Sequence, residues 1–376
     1  MPMVSHLFKT GIILFAILLT QFDFIPMINF IISLIAIFIL ADQLKLATES
    51  LSKRLGDNVG GLLMAFMGNL PEILISLMAL SKGLINVVKA SISGAIIGNL
   101  LFGLGLAIIY GGARAQILTF NRHVVRVQSA MVIMASCGLL IPALFHISNE
   151  VEVEHLSLEI SLVLITIYCL SLLFTFVTHE KLLSIKKTAG SEVVPENVEE
   201  ASFSVISTLL SPLARELERK DIPVKLWSSV IKLSLSAIAL GIVSEVLTDA
   251  LIPISKQFGL TDVFMGVILL SLAGNIGEYL NAISFAGRGK LDLTMQATMG
   301  SATQIALLVA PVLVFSSHFM SKPMNLNFSL YEVAAVLMAA TVVRSFTYDG
   351  ETHWLEGCML IGVYLMLGLG FYHLSV

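Results

Sequence analysis

Long apolar segments separated by short polar ones run along almost the whole chain. A helix that crosses a bilayer needs roughly 20 mainly apolar residues, and eleven segments approach that length. Their approximate limits are 8–21, 26–47, 58–80, 84–110, 127–147, 157–179, 226–249, 262–286, 291–316, 328–347 and 354–374. The pattern predicts an all-α polytopic membrane protein with about 11 transmembrane helices.

The composition agrees with a membrane location and excludes two functional classes. Of the 376 residues, 56% are hydrophobic and 13% are charged, and the mean hydropathy is +0.91. Soluble chains usually carry about 25% charged residues, so an ordinary soluble enzyme is excluded. The formal net charge of -4 provides no basic surface for a nucleic-acid partner.

The basic residues predict the orientation of the helices. Seventeen of the 22 lysines and arginines fall in the loops and helix ends of one face, whereas the loops of the other face hold only Lys82, Lys256 and Lys322. Basic loops are typical of the cytoplasmic side. We therefore expect a multi-pass protein of the cell (inner) membrane with a cytoplasmic amino terminus.

One long polar stretch, 181–225, divides the chain. It begins with four glutamates around Pro195 and continues with apolar residues at helical spacing, which predicts an acidic cytoplasmic linker with an amphipathic helix. The predicted units are a leading transmembrane helix at 1–25, a first five-helix repeat at 26–180, this linker, and a second, inverted five-helix repeat at 226–376.

The two halves repeat a polar motif. A shift of 206 residues places Gly68-Asn69-Leu70-Pro71-Glu72 on Gly274-Asn275-Ile276-Gly277-Glu278, and Lys82-Gly83 on Arg288-Gly289. Because the shift spans five helices, an odd number, the second copy must be upside down relative to the first. Inverted repeats are typical of secondary transporters, whose binding sites lie at the repeat interface.

Two acidic residues lie deep inside predicted helices. Glu72 and Glu278 would each cost about 2.5–3.5 kcal/mol at the bilayer centre. Glycines and Pro71 lie beside them, and we expect locally broken helices with free backbone carbonyls at both acids. An ion site explains two such acids at equivalent positions better than a structural role does.

Neutral oxygen donors accompany the two acids. The first candidates for metal ligands are Glu72, Glu278, Asn69, Asn275, Gln304 and Ser301, and the secondary candidates are Gly68, Gly274, Asn99, Asn281, Tyr279 and Thr303. Carboxylates combined with neutral oxygens suit Ca2+ rather than zinc or copper. Any single amide among them could equally have a structural role, as a hydrogen bond between two helices.

Other polar residues have simpler interpretations. Cys137, Cys169 and Cys358 form no CxxC pair and are expected to be small buried hydrophobes. Lys89 is expected to extend its ammonium toward the membrane surface. Glu332, near a helix end, is expected to be solvated.

The motifs of both halves resemble those of a known family. Gly68-Asn69-Leu70-Pro71-Glu72 followed by Gly94-Ala95-Ile96-Ile97-Gly98-Asn99, and Gly274-Asn275-Ile276-Gly277-Glu278 followed by Gly300-Ser301-Ala302-Thr303-Gln304, resemble the two signature repeats of the Ca2+/H+ antiporters. These antiporters belong to the cation/calcium exchanger superfamily. The resemblance covers nearly the whole chain and implies exchange of Ca2+ for H+, with Glu72 and Glu278 as alternating ligands of cation and proton.

Three positions depart from that family. Leu70-Pro71 is closer to the sodium-coupled exchangers, Tyr279 stands where a His is usual, and Ala95 stands where a Ser is common. Na+/Ca2+ exchange in the same fold is therefore kept as an alternative, and an intramembrane metal-dependent enzyme as an alternative of another class.

The expected partners follow from this interpretation. The chain is expected not to be an enzyme, because no phosphate loop and no Ser or Cys nucleophile beside a basic partner is found in the sequence. No cofactor is expected, and Ca2+ is the transported substrate. The expected partners are Ca2+, H+ and the lipid bilayer, with Na+ and a homo-oligomer left open.

Overall fold

The chain folds into helices joined by short connections. A computed structural model describes residues 26–55, 57–145, 150–175 and 226–374. The helices of these residues are α1 (Pro26–Leu55), α2 (Asp57–Gly68), α3 (Leu70–Ser81), α4 (Ile85–Gly112), α5 (Arg122–Leu144), α6 (Glu150–Leu173), α7 (Leu226–Phe258), α8 (Asp262–Gly287), α9 (Leu291–Phe319), α10 (Leu330–Phe346) and α11 (Trp354–Tyr372). Two short strands, β1 (Leu118–Thr119) and β2 (Glu351–Thr352), pair antiparallel. They join the connection between α4 and α5 to the connection between α10 and α11.

Most of these helices can cross a bilayer. In the described part of the chain, eight helices are long and apolar enough to do so, and α3 is a shorter apolar helix. Large apolar side chains lie exposed along α6 and α7, among them Leu162, Val163, Leu170, Ile231, Leu235 and Ile238. Such surfaces are stable against lipid and unstable against water. The chain is therefore a multi-pass integral membrane protein of the all-α class, as predicted.

The described helices coincide with ten of the predicted spans, although α2 and α3 share one of them. The predicted first helix at 8–21 and the linker at 181–225 lie outside the described residues. The count of eleven and the limits of the four predicted units therefore stay predictions.

The turns after α3 and α8 have the same conformation. Gly83 and Gly289, which are equivalent under the 206-residue shift, have φ values of +78° and +69°, a region that glycine adopts without strain. The same backbone hydrogen bonds close both turns, from Gly83 N to Leu80 O at 2.9 Å and from Gly289 N to Ala286 O at 3.0 Å. At these two turns the sequence repeat is therefore matched by the backbone conformation.

Helices α4 and α8 cross with their backbones in contact. A Cβ atom at Gly94 would collide with the backbone of Val267, and one at Gly266 would collide with the backbone of Val87. The segment Gly98–Gly103 of α4 is π-helical, a feature that is frequent at functional sites. This crossing brings the middle of α4 against the motif of α8.

The three cysteines do not lie where the sequence predicted. Cys137, Cys169 and Cys358 are exposed on the helix surfaces, so the prediction that they are buried was wrong. A weakly polar thiol fits a lipid-facing position as readily as a protein core, so residue type alone does not decide between the two.

A buried polar network holds the α9–α10 connection. The Lys89 ammonium donates to Asn325 Oδ1 at 2.5 Å and to the Asn327 backbone oxygen at 3.0 Å. Glu332 is 4% exposed and accepts from Ser329 in the capping box that begins α10. The prediction that Glu332 is solvated was therefore wrong, because its side chain is buried in the first turn of α10. Lys89 extends to the connection at the helix ends, and its approach to the membrane surface stays a prediction.

Candidate ion-binding site

The first motif lies at a break between two helices. α2 ends at Gly68, Asn69 forms a turn, and α3 begins at Leu70 with Pro71 in its first turn. Proline has no N–H to donate, so it is tolerated at this position and not in a helix interior. The break buries Asn69 completely and leaves Glu72 only 7% exposed.

The second motif lies within a continuous helix. Asn275 and Glu278 both lie in the segment Ser271–Gly287 of α8, so the predicted break at the second acid was wrong. Gly274 and Gly277 only weaken a helix, whereas Pro71 removes a donor from it. The irregular backbone of α8 lies earlier, where Met265–Leu270 is π-helical.

Two acids from opposite halves lie next to each other. The Glu72 side chain packs against Gly274, where an added Cβ would be 3.2 Å from Glu72 Cγ and 3.5 Å from its Oε1. Gly274 lies one helical turn before Glu278, on the same face of α8. Glu72 therefore packs against the face of α8 that carries Glu278. Like charges held near each other favour the binding of a cation or a proton between them.

Amide side chains join the two motifs across the repeat interface. Asn69 Nδ2 donates to Gln304 Oε1 at 2.6 Å, and Asn99 Nδ2 donates to Asn275 Oδ1 at 2.6 Å. Asn99 Nδ2 also donates to Ser301 Oγ at 3.2 Å, and the Ser301 hydroxyl donates to Glu278 Oε2. Each motif asparagine is therefore bonded to an amide of the other half.

Three oxygen atoms at this interface are buried and lack a hydrogen-bond partner among the described residues. They are Asn69 Oδ1, Glu72 Oε2 and Asn99 Oδ1. Buried polar atoms are nearly always paired, and oxygens left unpaired beside two carboxylates are suitable ligands for a hard cation. Within the described residues no three His, Cys, Asp or Glu side chains lie together, so neutral oxygens must complete any such ligand set.

Six of the twelve predicted site residues are joined directly by the hydrogen bonds above: Asn69, Gln304, Asn99, Asn275, Ser301 and Glu278. Glu72 and Gly274 pack against each other. Thr303 instead donates to Met299 O of its own helix at 2.8 Å. Gly68 is exposed, and Asn281 is partly exposed one turn beyond Glu278.

Tyr279 occupies a packing position. Its hydroxyl lies over Gly98 and its ring over Gly103, the first and last residues of the π-helical stretch in α4. The ring also contacts Phe102 edge-on, with centroids 5.5 Å apart. The side chain is 3% exposed and therefore fixes α8 against α4 beside Glu278.

Two further polar residues near Glu72 were not singled out from the sequence. Ser76 and Ser91 line a small cavity together with Glu72 and Asn275. Serines are common in membrane helices, where they usually bond to their own backbone, so no signal in the sequence marks these two.

The fold defines a class of protein, a polytopic membrane protein whose two halves carry related motifs. The model of the sodium/calcium exchanger protein family matches residues 25–177 and 228–372. The chain belongs to this family.

Relatives and solved structures cover nearly the full length. The chain is 37% identical over 347 residues to a Ca(2+)/H(+) antiporter of Aphanothece halophytica, covering 91% of this chain and 89% of the relative. It is 33% identical over 345 residues to the Ca(2+)/H(+) antiporter ChaA of Bacillus subtilis, covering 91% of each. The solved structure of native YfkE aligns with a TM-score of 0.78 at 28% identity, covering 98% of this chain and 99% of that one.

Proposed function

We propose that this protein is a secondary active antiporter that exchanges Ca2+ for H+ by alternating access. The observation that carries the proposal is the meeting of Glu72 and Glu278 from opposite halves, beside buried oxygens without partners. The names of the relatives, Ca(2+)/H(+) antiporters, support Ca2+ and H+ as the transported ions.

The proposed ligands combine charge with neutral oxygens. Glu72 and Glu278 supply two negative charges, which neutralise one Ca2+, and Asn69, Asn99 and Ser301 supply neutral oxygens. Ca2+ takes six to eight oxygen ligands in flexible geometry. A set of carboxylate, amide and hydroxyl oxygens at a helix break is compatible with that preference.

The exchange follows from competition at the two carboxylates. Removal from water favours the protonated form of a carboxyl group, whereas a nearby divalent cation favours the ionised form. Protons arriving at the site therefore displace Ca2+, and Ca2+ arriving there displaces protons. Rocking of one repeat against the other would expose the site to each face in turn.

The proposed number of protons exchanged for each Ca2+ follows from the carboxyl groups of Glu72 and Glu278. If both carboxyls accept a proton, two protons replace one Ca2+ and no net charge crosses the membrane.

We propose that the protein lies in the cell (inner) membrane with its amino terminus in the cytoplasm. The excess of basic residues in the loops of one face supports this orientation. In this orientation the turn with Lys82 and Gly83 lies on the outer face.

Na+/Ca2+ exchange is the second candidate. Pro71 lies in the first turn of α3 beside Glu72, and the Leu70-Pro71-Glu72 sequence resembles that of the sodium-coupled exchangers. Tyr279 stands where the antiporter family usually has a His. Both observations bear on which ion is exchanged for Ca2+. Neither bears on whether Ca2+ is transported. An intramembrane enzyme finds no support among the relatives reported above, which are named as antiporters.

One flux experiment separates the two candidates. Proteoliposomes loaded with 45Ca2+ receive either an inward proton gradient or an inward sodium gradient at fixed pH. Efflux driven by protons alone is the expected result. Efflux driven by sodium alone would refute proton coupling, and efflux driven by neither gradient would refute the exchanger proposal.

A further inference from the structure

A small cavity lies against Glu72 on one side of the site. Its lining includes Glu72, Ser76 on α3 and Ser91 on α4. Ser76 lies one helical turn beyond Glu72, and Ser91 lies two turns before Asn99. Both serines are therefore displaced from the acids toward the turn with Lys82 and Gly83, which joins α3 to α4.

Three oxygen atoms at this cavity, from Glu72, Ser76 and Ser91, form no hydrogen bond with another residue in the described part of the chain. Glu72 Oε2 is buried and has no hydrogen bond. Ser76 and Ser91 are 4% and 7% exposed, and neither hydroxyl forms a hydrogen bond with another described residue. By contrast, the hydroxyl of the neighbouring Ser93 donates to Lys89 O of the same helix at 3.4 Å. Among these three oxygens only Glu72 Oε2 is itself fully buried, and the two serines line the cavity beside it. Leaving a buried oxygen unpaired is costly, so a small hydrogen-bonding species in the cavity would stabilise this arrangement.

The size of the cavity limits which molecule or ion can occupy it. Its volume is about 10 Å³, which is room for about one water molecule. A Ca2+ ion needs six to eight oxygen ligands, whereas the cavity is otherwise lined largely by apolar side chains such as Ile75, Ile92 and Val309. Water fits, and a hydrated calcium ion does not.

The two halves differ at these positions. The 206-residue shift pairs Ser76 with Ala282 and Ser91 with Ala297. The passage from Glu72 toward the Lys82 turn therefore has two hydroxyls where the equivalent positions near Glu278 have methyl groups. Hydroxyls at these positions can hold water beside Glu72, whereas the methyl groups at the equivalent positions near Glu278 cannot.

We propose that Ser76 and Ser91 hold water against Glu72 and form a proton relay between this acid and the face of the Lys82 turn. The inference rests on the proposed Ca2+/H+ exchange. A water held by the hydroxyls donates one proton to the ionised Glu72 Oε2 and takes one from the next water toward that face. The water is regenerated, and one proton is transferred to the carboxylate.

The test compares two exchange modes in the same proteoliposomes. Ca2+/H+ exchange moves protons, whereas 45Ca2+/Ca2+ exchange at equal pH on both sides does not. The variants are Ser76→Ala, Ser91→Ala and the double variant. The matched control is Ser93→Ala, which lies on the same helix but not in the cavity.

The double variant is expected to lose at least about tenfold in Ca2+/H+ exchange while 45Ca2+/Ca2+ exchange stays within about twofold, since proton delivery contributes factors of this size or larger. The second mode also reports that the variant is folded. Equal loss in both modes in the two single variants, or no loss in either, would overturn the relay. A wild-type protein that exchanges Ca2+ only for Na+ would instead refute the proposed function.

Discussion

Asn99 donates a hydrogen bond to Asn275 across the boundary between the two halves, with its Nδ2 atom 2.6 Å from Oδ1. The nitrogen of Asn99 also donates to Ser301, whereas its Oδ1 atom has no partner in the described chain. The pair therefore fixes which end of the Asn99 amide is available to an ion.

Asn275→Ala should weaken both folding and calcium binding. It leaves a buried donor of Asn99 without its main acceptor, which costs about 1–3 kcal/mol, and it frees the Asn99 side chain to rotate. We expect a lower melting temperature in detergent and a higher KM for Ca2+. Thr303→Val is the control, because Thr303 bonds only to its own helix; equal KM values for the two variants would contradict the assignment.

Glu72→Gln and Glu278→Gln should each abolish calcium transport. The amide keeps the shape of the side chain but removes a negative charge that Ca2+ needs and a group that accepts a proton. The measurement is 45Ca2+ uptake by proteoliposomes, with the elution profile as a check on folding. Glu199→Gln, in the predicted linker, should transport normally at saturating Ca2+. Normal transport by either of the first two variants would remove that residue from the site.

The KM for Ca2+ should rise as the pH falls. A protonated carboxyl group offers no negative charge to the cation, so protons and Ca2+ compete at the two acids. Uptake is measured against Ca2+ concentration at several pH values that are equal on both sides of the membrane. A KM that does not change with pH would contradict shared use of Glu72 and Glu278.

Lys89→Met should destabilise the protein without removing an ion ligand. The substitution deletes hydrogen bonds to Asn325 and Asn327 and removes a positive charge that interacts with the buried Glu332. We expect a loss of about 1–3 kcal/mol, the size typical of hydrogen bonds to a charged group, in denaturation in detergent. Glu332→Gln in the Lys89→Met background should recover part of this loss; strict additivity of the two substitutions would show that they do not interact.

Lys82→Met should have a small effect on stability. Lys82 forms an ion pair with Asp249, whose side chain is 66% exposed, and exposed pairs contribute about 0–1 kcal/mol. Unfolding of Lys82→Met and of Asp249→Asn is compared at low and high salt. A loss above about 2 kcal/mol would show that this pair is stronger than an ordinary exposed one.

The sequence was sufficient to find the two acids, and the reason is energetic. A carboxyl group inside a membrane helix is expensive, so Glu72 and Glu278 stand out, and their equivalence under the 206-residue shift marks them as a pair. The break at Asn69 could also be predicted, because Pro71 removes a backbone donor. At Gly277 no such loss occurs, and the helix continues.

Contacts between distant segments could not be predicted. The partner of Lys89 is Asn325, 236 residues away, and no local pattern points to it. Ser76 and Ser91 resemble the many serines that bond to their own helices, and only the packing of α3, α4 and α8 shows that they surround a cavity.

The crossing at Gly94 and Gly266 affects how mutational scans of this protein should be interpreted. Neither glycine has a side chain that could coordinate anything, yet the smallest chiral substitution at either position would push the two halves apart. A survey that ranks positions only by lost transport would place these glycines beside the two acids. Measuring the amount of folded protein for every variant would separate residues that handle the ion from residues that allow the scaffold to close around it.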